Sequence, residues 1–372
     1  MNKDELYRIY EESTRTMKIR DEARVAGPNT PTFMEFPRAY EPHDLSGANM
    51  VFLGFPHEGF RSLSPVADRP PGGEDSDPNS IYFRTGTYEA PRSVRQWSVH
   101  QSIRHFGGNG YLVEYDLDLL DYLKVVDYGD VDCVPGDVGG DIEKGIQRVR
   151  EIVAAGAIPL VQGGTHSTPI PAVLGMAAET KGQIGIIAFD SHFDLSGGKS
   201  DLPDRSRFRA SSQYMRMLET PNVEPENIVM IGLRGIRNPK EWANVARNMG
   251  ITYFTLRDVD ELGIDQVVAK ALERVQGTDH LYVTLDVDVV DAGICRAQAY
   301  PDTPGLTPRE VVGALRQIGK SRVINGFDIS CLCPKYDPGG GSTQLFATRC
   351  YLEVMGSVAQ QFKNLGIKKW QW

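Results

Sequence analysis

Short apolar runs alternate with helical patterns along most of the chain. The runs lie at 50–54, 125–127, 158–161, 184–189, 228–231, 251–254, 281–285 and 323–327. They are strand-length, and several are almost continuously apolar, as expected for strands covered on both faces. We therefore predict a strand at each of these positions.

Helical spacing fills the segments between several of these runs. Apolar residues recur at helical intervals over 142–153, with Gly156 as a stop, and again over 267–275. A third helix is predicted to open at Thr307-Pro308-Arg309-Glu310, where Thr307 and Glu310 form a capping box and Pro308 takes the first helical position. The alternation predicts an α/β fold with a mostly parallel sheet and helices on both faces.

The chain divides into an N-terminal extension, 1–47, and one domain, 48–372. Four prolines within 28–42 interrupt regular structure at the end of the extension. A long Pro/Gly-rich loop is predicted at 56–80, directly after the first strand. Loops of that length in a compact domain are usually functional lids, interfaces or mobile segments.

Composition excludes several classes of protein. The chain has 372 residues and a formal net charge of −9, with no basic cluster typical of a nucleic-acid partner. The apolar runs are far shorter than the roughly 20 residues of a membrane helix, so no membrane association is expected. Five cysteines without CxxC spacing, together with an N-terminus that lacks a signal-peptide pattern, favour a cytoplasmic location.

Chemistry-bearing residues follow three of the predicted strands. Side chains two residues apart share a face in an extended segment, so the residues of each set can point the same way. If the three strands are neighbours, four carboxylates and two imidazoles converge at one edge of the sheet, where ligands bind in such folds. The residues are His166 after the third strand, Asp190, His192 and Asp194 after the fourth, and Asp286 and Asp288 after the seventh.

Such a cluster is more than a set of turn residues. Four converging carboxylates repel one another, and buried charges must be paired or coordinate metals. Two divalent cations would neutralise them. The oxygen-rich set without thiolates disfavours structural zinc, while Mn²⁺, Ni²⁺ and Co²⁺ accept carboxylate with imidazole. Two such ions side by side are a common hydrolytic device.

The order of these motifs resembles that of the ureohydrolase family, which includes arginase and agmatinase. GGxHS lies at 163–167, DxHxD at 190–194 and DxDxxD at 286–291, and further family-like segments lie at 83–95, 127–131, 231–235 and 305–310. The resemblance covers about residues 50–360. It implies a single three-layer α/β/α domain around a parallel sheet, assembled as trimers or hexamers.

The resemblance also implies roles for the six residues. One metal would be held by His166 with Asp190, Asp194 and Asp286, and the other by His192 with Asp190, Asp286 and Asp288. Asp190 and Asp286 would bridge the two ions. Asp194 and His192 are the residues to which we assign catalytic roles, with Asp194 also hydrogen-bonding the attacking hydroxide.

Three positions depart from the family pattern. Ser211 stands where many relatives have a proton-shuttling histidine, Cys331 stands where the family has a guanidinium-binding glutamate, and 295–302 differs from the agmatinase pattern. We expect Ser211, Cys331, Tyr300 and His57 to line the substrate pocket. Alternatively, Cys331 is a packing residue and Ser211 an ordinary loop residue.

These departures imply a compact substrate without an amino-acid tail. The resemblance is greatest to the guanidine and metformin hydrolase branch, which implies hydrolysis of guanidine, dimethylguanidine or a biguanide such as metformin, with nickel favoured and manganese as the alternative metal. An agmatinase or guanidino-acid ureohydrolase remains an alternative. A further alternative is a non-catalytic subunit of a hetero-oligomer with a related chain, rather than an active homo-oligomer.

Overall fold

The computed structural model describes residues 30–58, 84–103, 108–197, 208–337 and 339–366, together with residues 5, 9 and 25–27. Most of the loop predicted at 56–80 lies outside these described residues. Of the predicted N-terminal extension, residues 30–47 are described and pack against the domain. Phe33 stacks on the ring of Phe52, with 4.1 Å between ring centroids, and Leu45 is fully buried.

Eight parallel strands form one central sheet in the described part of the chain. They follow the order β6-β5-β4-β7-β8-β3-β1-β2 across the sheet. The strands are β1 Met50–Phe55, β2 Val125–Asp130, β3 Ile158–Gly163, β4 Ile184–Phe189, β5 Ile228–Leu233, β6 Thr252–Thr255, β7 His280–Asp286 and β8 Gly326–Ser330.

Helices cover both faces of the sheet and complete three layers. Helices α1, α7, α8 and α9 contribute to the apolar core on one face, and α2, α3 and α5 to the core on the other. The helices are α1 Ala90–Ser98, α2 Val138–Ala154, α3 Pro169–Glu179, α4 Gln213–Met217, α5 Lys240–Met249, α6 Leu256–Leu262, α7 Ile264–Val275, α8 Pro308–Ser321 and α9 Ser342–Asn364. The predicted three-layer α/β/α class is confirmed.

Several strands, such as β4, are almost entirely apolar because each of their faces packs against a helical layer. In β4, Ile187 and Phe189 enter one core, whereas Ile184, Ile186 and Ala188 enter the other. Successive side chains of a strand point to opposite faces, so a strand in the middle layer favours apolar residues on both faces. This two-sided burial explains why the strand pattern was readable in the sequence.

The predicted start of helix α8 is confirmed. Thr307 Oγ1 accepts a hydrogen bond from the Glu310 amide over 3.2 Å, and Glu310 Oε2 accepts one from the Thr307 amide over 2.7 Å. Pro308 begins the helix, at a position where a backbone N–H would have no acceptor within the helix, so the lack of an N–H in proline costs nothing there.

The prediction for the last strand was wrong in its position. We expected 323–327, but β8 runs from Gly326 to Ser330. The strand includes Asp328, which is buried and accepts hydrogen bonds from Tyr282 Oη over 2.9 Å and Thr284 Oγ1 over 3.1 Å. These partners lie on the neighbouring strand β7, so the local sequence gave no sign that a carboxylate could occupy the middle of β8.

Among the described residues, no helix is both long enough and apolar enough to span a bilayer. The longest, α9, has 23 residues but carries charged residues such as Arg349 and Glu353.

Candidate metal centre

The carboxyl ends of β3, β4 and β7 bring the six predicted ligand residues together. β4 and β7 are hydrogen-bonded neighbours, with Phe189 opposite Leu285, so Asp190 and Asp286 leave the sheet side by side. β8 separates β7 from β3 in the sheet, and the carboxyl end of β3 lies at the same edge as those of β4 and β7. The loop that follows β3 carries His166.

His166 lies at the centre of the first group of side chains. Its Nδ1 is 2.9 Å from Asp194 Oδ2 and 3.1 Å from Asp286 Oδ2. The same nitrogen is 3.3 Å from Asp190 Oδ2. One imidazole and three carboxylates therefore face a common point.

His192 lies at the centre of a second group. Its Nδ1 is 3.2 Å from Asp288 Oδ2 and 3.7 Å from Asp190 Oδ1. The two oxygens of Asp190 thus face different histidines, Oδ2 towards His166 and Oδ1 towards His192. A carboxylate in that position is suited to bridge two cations.

Short turns hold these carboxylates in place. The His192 amide donates to Asp190 Oδ1 over 2.7 Å, and the Asp288 amide donates to Asp286 Oδ1 over 2.9 Å. Ser191 Oγ donates to Asp288 Oδ1 over 2.6 Å and links the two strand ends. These bonds fix Oδ1 of each carboxylate, and Oδ2 of each is directed towards an imidazole of the cluster.

Burial and like charges perturb the carboxyl groups of the cluster. Burial raises the pKa of Asp190 to about 6, and the carboxylates of Asp194 and Asp288 act in the same direction. Burial and the adjacent Asp288 raise the pKa of Asp286 well above its usual value. Carboxyl groups so close together resist joint ionisation unless cations compensate them.

The histidines respond in the opposite direction. Burial alone would lower the pKa of His192, but the carboxylates of Asp288 and Asp190 outweigh it and raise the pKa to about 12. His166 is likewise shifted well upward by Asp286 and Asp190 against the effect of its burial. The protein therefore places an excess of negative charge around both imidazoles.

The cluster fits two divalent cations. Asp190 Oδ2 and Asp288 Oδ2 are buried and accept no hydrogen bond from any described residue. Two sets of ligand atoms each lie within 4.8 Å of one another, one formed by His166, Asp190 and Asp194 and the other by Asp190, His192 and Asp288. Orphaned carboxylate oxygens next to an imidazole are the donors that Mn²⁺, Co²⁺ and Ni²⁺ accept.

Two of the predicted pocket residues lie next to the cluster. Cys331 directly follows β8, is buried, and has a left-handed backbone with φ of 63°. Burial raises the pKa of its thiol, with the carboxylates of Asp286 and Asp288 in the same direction, so Cys331 is a neutral group. Tyr300 stands edge-on to the ring of His192, with 6.2 Å between ring centroids.

The other two predicted pocket residues have partners away from the six ligand residues. Ser211 Oγ lies 2.8 Å from Ser196 Oγ, and its carbonyl accepts the Ser196 amide, so Ser211 fastens the loop that follows Asp194. His57 Nδ1 lies 2.9 Å from Asp141 Oδ2, and these two residues form with Cys133 a third set of nearby metal-ligand types.

Gln213 is a further residue at the cluster that the sequence did not indicate. It begins the short helix α4, two residues after Ser211, and is fully buried. Its Nε2 donates to Asp194 Oδ2 over 2.9 Å and lies 3.0 Å from His166 Nδ1. A glutamine at the start of a short helix carries no sequence signal for such a role, because the contact depends on how this segment folds back over the strand ends.

Comparisons with known proteins agree with this geometry. The sequence pattern of the arginase family matches residues 76–356. Proclavaminate amidinohydrolase of Streptomyces clavuligerus is 28% identical over 341 residues, covering 90% of this chain and 95% of that protein. Guanidinopropionase of Pseudomonas aeruginosa is 27% identical over 333 residues, covering 87% of this chain and 91% of that protein.

Solved structures show the same fold. The structure of proclavaminate amidinohydrolase superposes with a TM-score of 0.72 at 25% identity, covering 90% of this chain and 99% of that one. A formiminoglutamase of Trypanosoma cruzi, solved with two Mn²⁺ ions, gives a TM-score of 0.70 at 21% identity, covering 89% and 99%. The chain belongs to the arginase family and is a ureohydrolase, a hydrolase that acts on C–N bonds.

Proposed function

We propose that the protein hydrolyses a C–N bond of a small guanidine or biguanide compound with two divalent metal ions. The observation that carries this proposal is the convergence of four carboxylates and two imidazoles, in which Asp190 directs one oxygen to each histidine. His166 with Asp194 would hold one ion and His192 with Asp288 the other, while Asp190 and Asp286 would serve both.

Two divalent cations at these positions would activate water and stabilise the charge that develops on the substrate. Asp194 has its carboxylate beside His166 and is the group we assign to accept the proton of the attacking water. Its left-handed backbone, with φ of 48°, turns the chain at this point. His192, next to Tyr300, faces the opposite side of the cluster and positions the second group of ligands.

The neutral pocket wall favours a compact substrate. Cys331 supplies a thiol with a raised pKa at the end of β8, where the family pattern has a carboxylate, so this position offers no negative charge to a substrate. A charged group bound without a partner loses its hydration uncompensated, which costs several kcal/mol. Guanidine, dimethylguanidine and metformin therefore suit the site better than arginine or agmatine.

A guanidino acid is the second candidate substrate. Arg237 is exposed at the end of β5, with its guanidinium 5.8 Å from the centroid of the Tyr300 ring. Since Tyr300 adjoins His192, a carboxylate at the far end of a substrate could reach Arg237. The names of two relatives, proclavaminate amidinohydrolase and guanidinopropionase, agree with this alternative.

The test is a screen for released ammonia or amine across guanidine, dimethylguanidine, metformin, arginine, agmatine and guanidinopropionate. Protein is loaded separately with Ni²⁺, Mn²⁺ or Co²⁺, and we expect the greatest activity with Ni²⁺. Turnover of arginine or guanidinopropionate within tenfold of the best small guanidine would contradict the compact-substrate proposal. Bound metal near zero, with no turnover, would instead support a non-catalytic subunit.

A further inference from the structure

A buried carboxylate outside the six ligand residues is only half satisfied. Glu58 lies three residues after the end of β1, with 8% of its surface exposed. Its Oε1 accepts hydrogen bonds from the amides of Gly86 and Thr87, whereas its Oε2 is buried and has no hydrogen-bond partner among the described residues. A buried oxygen without a donor is unfavourable and points to a ligand that carries N–H groups.

No cationic side chain of the described segments lies within ion-pair distance of Glu58. Lys335, whose charge acts on this carboxylate, donates instead to Thr85 Oγ1 over 3.1 Å. Burial raises the pKa of Glu58, and the amides of Gly86, Thr87 and Tyr88, together with the charge of Lys335, act against that shift. The amides hold one oxygen in position while the other keeps its capacity to accept.

Backbone contacts place Glu58 beside the loop that carries a metal-ligand residue. The carbonyl of His57, the preceding residue, accepts the Thr165 amide over 2.9 Å. A Cβ on Gly164 would lie 1.9 Å from that carbonyl oxygen, so only glycine allows the two segments to approach this closely. Thr165 directly precedes His166. The hydrogen bond between Thr165 and His57 therefore joins the segment after β1 to the edge of the cluster.

A second set of contacts connects Glu58 to the pocket wall. The segment that binds its Oε1 continues from Arg84, whose amide donates to the carbonyl of Ala299 over 2.9 Å, next to Tyr300. The Cys333 thiol lies 3.7 Å from the Arg84 carbonyl oxygen. Burial raises the pKa of that thiol, and the carboxylates of both Glu58 and Asp286 add to the shift.

We propose that Glu58 Oε2 binds the guanidinium group of the substrate and so selects for a cation. This inference rests on the proposed function, because a guanidinium ion supplies the planar array of N–H donors that a carboxylate recognises. Glu58 offers one oxygen, since Gly86 and Thr87 occupy the other. The uncharged Cys331 leaves the position at the end of β8 open to an alkyl group or a further N–H.

The test is Glu58→Gln, which keeps an oxygen for the two amides and replaces the free carboxylate oxygen with an amide nitrogen. With the best substrate of the screen, we expect KM to rise roughly 10- to 100-fold, the range of a lost hydrogen bond to a charged group. We expect kcat to change less than threefold and the bound metal to stay the same. Glu89→Gln, an exposed carboxylate on the same segment, should leave KM unchanged.

Charge selection gives an independent readout. We expect the wild type to bind guanidine more tightly than its neutral isostere urea, as measured by comparing the KM for guanidine with the inhibition constant of urea. Glu58→Gln should lose most of this preference. Glu58→Asp, which keeps the charge, should retain the preference for guanidine over urea. This variant also tests the proposal if Glu58→Gln does not fold. An unchanged KM and preference in a folded, metal-loaded Glu58→Gln would overturn the proposal, as would a wild type that does not discriminate.

Failure of the proposed function gives a different result. If the wild type hydrolyses no guanidine compound, calorimetric titration with millimolar guanidinium chloride still tests Glu58 directly. Binding that is weakened at least tenfold in Glu58→Gln would support the site without the reaction, and equal or absent binding would contradict it.

Discussion

Gln213 Nε2 donates a hydrogen bond to Asp194 Oδ2 over 2.9 Å and thereby connects helix α4 to the cluster of candidate ligand residues. The same nitrogen lies 3.0 Å from His166 Nδ1. Asp194 occupies a left-handed backbone conformation after β4, so its orientation depends on contacts from outside its own strand. Gln213 supplies such a contact and fixes the carboxylate relative to the imidazole.

Gln213→Leu should therefore lower kcat while the protein keeps its metal. Groups that orient metal ligands typically contribute 10- to 100-fold to metal affinity or activity, and we expect a loss of about that size. Steady-state kinetics and elemental analysis of the purified variant measure the two quantities. Gln147→Leu, on the exposed face of α2, is the matched control. Turnover within twofold of the wild type would remove Gln213 from the site.

Asp190→Ala and Asp286→Ala should abolish activity and remove metal. Asp190 faces both halves of the cluster, and Asp286, 3.1 Å from His166 Nδ1, is assigned to serve both ions, whereas His166→Ala removes a ligand from one half. We expect the aspartate variants to lose more activity and more metal than His166→Ala. Turnover above one tenth of the wild-type value in either aspartate variant would contradict the metal assignment.

Cys331→Glu should shift preference from dimethylguanidine towards guanidine. The new carboxylate would lie next to Asp286 and would need an N–H donor, which a dimethylated nitrogen lacks. The measurement is the ratio of kcat/KM for the two substrates in metal-loaded protein. Cys331→Ser, which stays small and neutral, should leave the ratio within about twofold. An unchanged ratio in Cys331→Glu would make Cys331 a packing residue only.

Arg95→Ala should strongly destabilise the fold. Arg95 is fully buried on α1 and pairs with Asp127 through two hydrogen bonds of 2.8 and 2.9 Å. Removing one partner of a buried ion pair costs about 3–5 kcal/mol, because the remaining buried charge loses its compensation. Arg38, 3.5 Å from Asp127 Oδ1, would compensate only part of that loss. Denaturant unfolding measures the change. Arg257→Ala, which breaks an exposed pair with Glu261, should cost less than about 1 kcal/mol. Similar losses for the two variants would contradict this reasoning.

Asp328→Asn should alter how stability depends on pH. Burial raises the pKa of Asp328 to about 7, above the value of about 4 expected in the unfolded chain. The folded state therefore keeps a proton that the unfolded state releases between about pH 4 and 7, so the contribution of Asp328 to stability falls as pH rises through this range. Asparagine does not titrate. The stability of the variant minus that of the wild type should therefore be larger at pH 8 than at pH 5. Thermal unfolding of both proteins at the two pH values measures this difference. A difference that does not change with pH would contradict the raised pKa.

Sequence reasoning was most successful where the signal was local. The strand at 184–189 was predicted with its observed bounds because both of its faces are apolar. The capping box at Thr307 was readable because its two partners lie three residues apart. The last strand was misplaced because the partners that make Asp328 acceptable lie on β7, more than 40 residues earlier.

The sequence by itself determined the alternation of strands and helices and identified the six candidate ligand residues, since periodicity and motif spacing are properties of neighbouring residues. Only the tertiary structure decided which further side chains reach the cluster. Gln213 stands in a segment without a recognisable motif yet donates to Asp194, whereas Ser211 turns to Ser196 instead of the ligand residues. Glu58 is held by the amides of Gly86 and Thr87, which belong to a different segment. The physical reason is that hydrogen-bond partners and burial are set by segments far apart in the chain, which no local pattern encodes.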